Sequence, residues 1–231
     1  MKHKEEDLKN KVRFFSSAIF AIQETHYKSK GKFKLQDYQI FESIRKNKDN
    51  GGSMLGIHVG LHPVLVSEYF EHVELIVAEI RVANENIRVI TGYGPQENWE
   101  DKDRLPFFTA LEKEVASAQL ESKSVIIAMD ANSKLGPTYI PNDPKSMSKN
   151  GKVLAALMER YALYVVNGLK DKSEGLITRE MNTINGIERS VIDVVIVSSD
   201  LVKHIKQIHK DDRRINVLTK NIKTKEGTIN N

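Results

Sequence analysis

Asp130 and Asn132 close the apolar run Val125-Ile126-Ile127-Ala128-Met129. On an extended chain residues two apart point the same way, so this carboxylate and this amide would address one ligand together. A carboxylate delivered to the end of a buried strand needs a cation or a proton, because an unpaired buried charge is costly. Glu24 follows the apolar run Ala18-Ile19-Phe20-Ala21-Ile22 and would set a second carboxylate at a sheet rim. Tyr93 stands between Gly92 and Gly94. The glycines permit a tight turn and close backbone approach to a ligand, and a phenol there can donate to a phosphate oxygen or stabilise developing charge. Asp193 lies within the otherwise apolar residues 190–197, where a buried aspartate requires charge-assisted partners or a chemical role. Each has a plainer reading: a solvated loop residue for Glu24, core packing for Tyr93, a hydrogen bond to loop backbone for Asp193.

Periodicity indicates the elements that must position these groups. Residues 4–15 predict a short helix, with Leu8, Val12 and Phe15 at helical spacing. Residues 17–22 predict the strand that delivers Glu24, followed by strands at 38–41 and, after the turn Asn50-Gly51-Gly52-Ser53, at 54–58. A meander follows at 63–69, 75–82 and 87–92. Residues 103–120 predict the longest helix, with Phe108, Leu111, Val115 and Ala118 on one face and Pro106 in its first turn. Residues 124–129 form the strand leading to Asp130, and 150–161 predict a second amphipathic helix. Strands at 164–166, 177–179 and 190–197 complete the pattern, and His204 falls in a helical stretch. From Asp212 on the chain is polar and weakly patterned. Many strands interleaved with few helices predict an α/β (α+β) sandwich rather than a bundle or a strictly alternating parallel sheet. No repeat or linker divides the chain, so one domain is expected over 1–231.

The chain has 231 residues, 40% of them hydrophobic, enough for a substantial core. Its net charge of +4 is compatible with a polyanionic partner. The absence of cysteine excludes a disulfide framework, a thiolate metal site and a cysteine nucleophile, and fits a reducing, intracellular compartment, nucleus or cytoplasm. No run approaches the roughly 18 apolar residues that span a bilayer, and no membrane partner is expected. Oligomeric state leaves no trace in the sequence.

Taken in order, Gln23-Glu24-Thr25, Gly92-Tyr93-Gly94-Pro95, Met129-Asp130-Ala131-Asn132 and Arg189-Ser190-Val191-Ile192-Asp193 resemble the endonuclease/exonuclease/phosphatase (DNase I-like) superfamily. The middle of the chain is most similar to the endonuclease domains of non-LTR retrotransposons, through Gln23-Glu24-Thr25-His26, Asn167-Gly168-Leu169 and Gly175-Leu176-Ile177-Thr178-Arg179. The resemblance covers about residues 18–200. It implies a four-layer α/β/β/α sandwich with a site at one rim and metal-dependent hydrolysis of a phosphodiester in nucleic acid, DNA rather than RNA. Glu24 would hold Mg²⁺ or Mn²⁺, ions suited to hard oxygen ligands. Asp130 would position or activate the attacking water, Asn132 would hold the phosphate, and Tyr93 would lie near the scissile group. Asp193 would match the aspartate that orients a histidine in the family.

That histidine has no counterpart: the family's Asp-His dipeptide is absent from this chain. Asn10, the only early asparagine, falls in the first predicted helix rather than on an opening strand. Gln96 stands where an asparagine is common, and Val191 where arginine is common. The resemblance thus predicts a domain short of strands at both ends, with impaired activity. Two other functions remain open: a catalytically inactive nucleic-acid- or protein-binding domain on the same scaffold, and a phosphatase or phosphodiesterase acting on an inositol phosphate or lipid head group. The family resembled is reverse transcriptase-associated, but the sequence does not say whether such a domain belongs downstream.

Overall fold

Leu75 and Val77 face one apolar core, while Ile76, Ala78 and Ile80 face another. This is the period-2 alternation of a strand buried on both sides, and it sets the architecture. The computed structural model describes residues 2–44, 51–69, 73–141, 143–169, 172–173, 177–183, 186–208, 222–224 and 227–229. The chain divides into two compact units, Ala18–Ile208 and a smaller one of Met1–Ser17 with His209–Asn231.

In the larger unit, β1 (Ile19–Gln23), β2 (Tyr38–Ser43) and β3 (Ser53–His58) form an antiparallel sheet in the order β1-β3-β2. Then come β4 (Val64–Glu68), β5 (Glu74–Val82), β6 (Glu85–Tyr93), helix α1 (Asp101–Leu120), β7 (Ser124–Asp130), helix α2 (Lys149–Arg160) and β8 (Leu163–Val165). A hairpin of β9 (Arg179–Thr183) and β10 (Gly186–Ser190) precedes β11 (Asp193–Ser198). The main sheet has the order β4-β5-β6-β7-β11-β8, with β6 and β7 parallel and α1 as their crossover. Phe107, Leu111 and Val115 of α1 and Leu154 of α2 pack on one face of this sheet with Val125 and Ile127. Phe41, Leu55 and Ile57 of the smaller sheet pack on its other face with Ile76 and Val89. The layers are therefore helix, sheet and sheet, an α/β sandwich.

The smaller unit contains an α-helix, Lys2–Phe14, which includes Asn10 as expected, and a strand pair, Ile222–Thr224 with Gly227–Ile229. The polar tail pattern had concealed that pair.

Several boundaries differ from expectation, each for a physical reason. Helix α1 starts two residues earlier than 103, led by Asp101 and Asp103 at its positive dipole end. Pro106 is thereby moved beyond the first turn, where its missing N–H forgoes a helical bond. The strand expected at 177–179 instead begins at Arg179, and residues 190–197 break into two elements. Ser190 ends the hairpin, and the chain re-enters the main sheet only at Asp193. His204 ends a 3₁₀ segment and is exposed. Asn50, Gly175, Leu176 and His209 lie outside the described residues.

Candidate active site

Strand register builds the site. Across the main sheet, Glu74 pairs with Tyr93, Tyr93 with Asp130, and Asp130 with Asp193. Paired residues on neighbouring strands share a face, so four polar side chains form one row at one end of the sheet. The alternation that sends Met129 and Val194 toward the helices sends this row toward the smaller sheet. Glu24 arrives from there, one residue past the end of β1. The phenol of Tyr93 donates to Glu24 Oε1 at 2.8 Å, which joins the two sheets. Behind it, Gln23 Nε2 donates to Thr91 Oγ1 at 3.0 Å, and Thr91 Oγ1 donates to the Ala128 carbonyl at 2.7 Å. These bonds lace β1, β6 and β7 immediately beneath the row.

Glu24, Tyr93, Asp130, Asn132 and Asp193 all line one cleft of about 570 Å³. Asn132 reaches it by another route than strand alternation. Its backbone is left-handed, with φ of 43°, and its N–H donates to Asp130 Oδ1 at 2.9 Å. The chain thus turns directly after Asp130, as Asn tolerates. Asn132 Nδ2 then donates to the Gly94 carbonyl at 2.9 Å. Glu24 is also left-handed, φ 53°, a conformation that costs a non-glycine residue about 1–3 kcal/mol and tends to occur at functional sites.

The glycines beside Tyr93 serve the packing of strands, not approach to a ligand. A Cβ on Gly94 would lie 2.2 Å from the Ala131 carbonyl oxygen, and the Gly94 N–H donates to the Asp130 carbonyl at 2.7 Å. Only glycine lets the Tyr93 loop lie this close to the Asp130 turn. Asp193, expected to be buried within a strand, is instead exposed at the opening of β11. Its backbone N–H donates to Thr178 Oγ1 at 3.1 Å, and its carbonyl accepts from Asn167 Nδ2 at 3.1 Å. These bonds fix its main chain, while the carboxylate lines the cleft.

The carboxylates perturb one another. Burial raises the Asp130 carboxyl to about 6, with Asp193 and Glu24 adding repulsion, against the Asn132 N–H and Arg179, which lower it. Although Asp193 is open to solvent at its surface, desolvation by the cleft walls raises its carboxyl, opposed first by a hydrogen bond from Thr178. Tyr93 is raised by burial and by accepting-side pressure from Glu24, so its phenol keeps its proton near neutrality.

Side chains that sequence reasoning did not single out complete the cleft: Lys134, Arg179, Thr178, Glu97 and Asn98. Asn150 supports them from below while fully buried. It donates from Nδ2 to the Pro95 carbonyl at 2.7 Å and from its backbone to Glu97 Oε1 at 3.1 Å, and it accepts from Arg104 Nη1 at 3.2 Å. Thr178 and Arg179 belong to the stretch that carried part of the resemblance. Lys134 and Asn150 have no such signal, because their role depends on where α2 begins.

Hard oxygen donors face the cleft and no sulfur ligand exists in the chain. Among the described residues, no three acidic or histidine side chains converge into a complete metal cage. The donor set fits Mg²⁺ or Mn²⁺, which take one or two carboxylates and fill the remaining positions with water and phosphate oxygens. It does not fit a structural ion such as tetrahedral zinc.

No family model and no curated protein matches the sequence. Solved structures do match. The endonuclease domain of TRAS1, a telomere-specific non-LTR retrotransposon, aligns with TM-score 0.60 at 16% identity, over 88% of this chain and 83% of that one. The AP endonuclease LMAP from Leishmania major aligns with TM-score 0.66 at 14% identity, over 87% and 75% of the two chains. The catalytic domain of APE2 from Xenopus laevis aligns with TM-score 0.67 at 15% identity, over 88% and 81%. With this layering, this sheet order and these neighbours, the chain has the DNase I-like fold.

Proposed function

We propose that the protein is a phosphodiesterase of nuclease type, acting on nucleic acid with Mg²⁺ or Mn²⁺. The observation that carries this reading is the convergence of Glu24, Tyr93, Asp130, Asn132 and Asp193 on one cleft. Fold neighbours support it: they include two proteins named as endonucleases and a D. rerio TDP2 solved with single strand DNA product.

Glu24 is the side chain that would hold the ion, with Asp130 and Asp193 within electrostatic reach. When bound, the ion supplies Lewis-acid compensation for charge on the phosphate oxygens. Asp130, once ionised, takes a proton from the water whose oxygen attacks phosphorus. The phosphorus–ester oxygen bond opposite the attack breaks, and the leaving oxygen departs in line. The Tyr93 phenol, once an ion takes its place on Glu24, and the second N–H of the Asn132 amide would donate to the phosphate, and donors held in this way stabilise charge as it develops. Among the described residues no histidine lines the cleft, and the Asp193 carboxyl is eased by a hydrogen bond from Thr178 and by the charge of Arg179. A rate below that of a histidine-bearing relative is the expected consequence, since a lost acid-base group typically costs about 10²- to 10⁴-fold.

The test is nicking of supercoiled plasmid DNA with Mg²⁺ or Mn²⁺, alongside Asp130→Ala and a chelated control. Metal-dependent nicking lost in Asp130→Ala is the expected result. A folded protein that binds DNA without nicking it would overturn hydrolysis and leave a binding domain on this scaffold. A parallel RNA substrate decides between the two nucleic acids, with DNA expected to be cleaved faster.

A further inference from the structure

A phosphodiester entering this cleft meets four carboxylates, from Glu24, Glu97, Asp130 and Asp193. An anion among them is repelled unless fixed cations face it, and one divalent ion would be shared among several acidic groups. Among the described lining residues only two side chains are cationic, Lys134 and Arg179.

The backbone of Lys134 is held unusually firmly for a loop. Its N–H donates to Ser148 Oγ at 3.1 Å, and its carbonyl accepts from the Ser148 N–H at 3.0 Å. Ser148 is also the N-cap of α2, accepting from the Gly151 N–H at 3.1 Å. A Cβ on Gly151 would lie 2.0 Å from the Lys134 carbonyl oxygen, so only glycine allows the helix start to close on this loop. One serine thus caps the helix and anchors the lysine. Arg179 is placed by the hairpin base, paired with Ser190, and the Thr178 N–H beside it donates to the Ser190 carbonyl at 3.2 Å. Both cations therefore stand on braced backbone and line the cleft with Asp130 and Asp193. Arg179 lowers both of those carboxyls, as expected of a guanidinium facing them.

We propose that Lys134 and Arg179 form a two-point clamp on the non-bridging oxygens of a nucleic-acid phosphodiester. Lys134 acts as a point charge and Arg179 as a planar fork. The clamp rests on the phosphodiesterase reading and deepens it, because it names the groups that supply positive charge to the bound phosphate. No covalent step is assigned to either side chain; both bind the phosphate and stabilise charge as it develops.

The test uses the full chain and two readouts for Lys134→Ala, Lys134→Arg and Arg179→Ala, each checked for an unchanged melting curve. The first is binding of a fluorescent duplex DNA oligonucleotide in chelator across a salt series. Each lost phosphate contact should flatten the log-log salt dependence by about 0.9. The second is plasmid nicking with metal, where each alanine variant should lower kcat by about 10²-fold. Lys134→Arg should keep the binding slope while recovering only part of kcat, since a fork replaces a point charge. Wild-type slopes in both alanine variants would overturn the clamp, and so would a wild-type protein that binds no DNA. Flattened slopes without nicking by any form would sustain the clamp and sink the hydrolase reading; nicking by all forms with unchanged slopes would do the reverse. Should Lys134→Ala melt early, Lys134→Gln gives the same comparison with a side chain of similar reach.

Discussion

Asp130 and Asp193 stand directly opposite one another on the antiparallel strands β7 and β11. Like charges in that position repel and destabilise a sheet, so the pair is retained at a cost in stability. The Asn132 N–H, Thr178 and Arg179 offset part of this repulsion.

The first prediction concerns pH. The folded Asp130 carboxyl is raised to about 6, against roughly 3.9 in an unfolded chain. Between these values the native state holds more protons, so stability falls as pH rises from about 4 through 6. Asp130→Asn should remove this dependence and raise the melting temperature at pH 8 while abolishing nicking. A carboxyl-resolved NMR titration of the metal-free protein reads the value directly, and a resonance titrating near 4 would contradict it.

Metal should reverse that shift. Adding Mg²⁺ or Mn²⁺ to the wild type places positive charge among the carboxylates and lowers the Asp130 value. Glu24→Gln should weaken the effect at least tenfold in ion concentration, read by the same titration or by calorimetry. Equal affinity in both proteins would remove Glu24 as the ligand.

Asn150 predicts a positioning effect. Asn150→Ala leaves Arg104 Nη1 and the Pro95 carbonyl without this partner, although Arg104 keeps Asp101, and should cost about 1–3 kcal/mol in urea unfolding. Because the Pro95 and Asn132 carbonyls lose the donor they share, Asn150 Nδ2 at 2.7 and 3.5 Å, kcat should fall more than DNA binding does. An unchanged kcat would confine Asn150 to stability alone.

Arg88 tests the far end of the main sheet. It is 2% exposed and bonds Glu79 at 2.6 Å and Glu114 at 3.3 Å, with Lys123 completing the network on Glu79 at 2.6 Å. Arg88→Met leaves the buried Glu114 carboxylate without its cation, while Glu79 keeps Lys123, and should destabilise by about 3–5 kcal/mol. A urea midpoint close to wild type would show that the network contributes little.

Local sequence determined the strands and the residue types at their ends. Apolar runs 17–22 and 124–129 predicted strands, found at Ile19–Gln23 and Ser124–Asp130, with Glu24 and Asp130 where those runs stop. Order along the chain was sufficient to propose the sandwich and five side chains that share its cleft. Tertiary structure alone decided how they meet. The row from Glu74 to Asp193 arises from register among β5, β6, β7 and β11, and no local window encodes register between distant strands. The same limit hid the exposure of Asp193, which follows from the chain leaving the sheet for a hairpin before β11 begins. It hid Lys134 and Asn150 as well, because their positions depend on the start of α2 closing on a loop fourteen residues earlier in the chain, from Ser148 to Lys134.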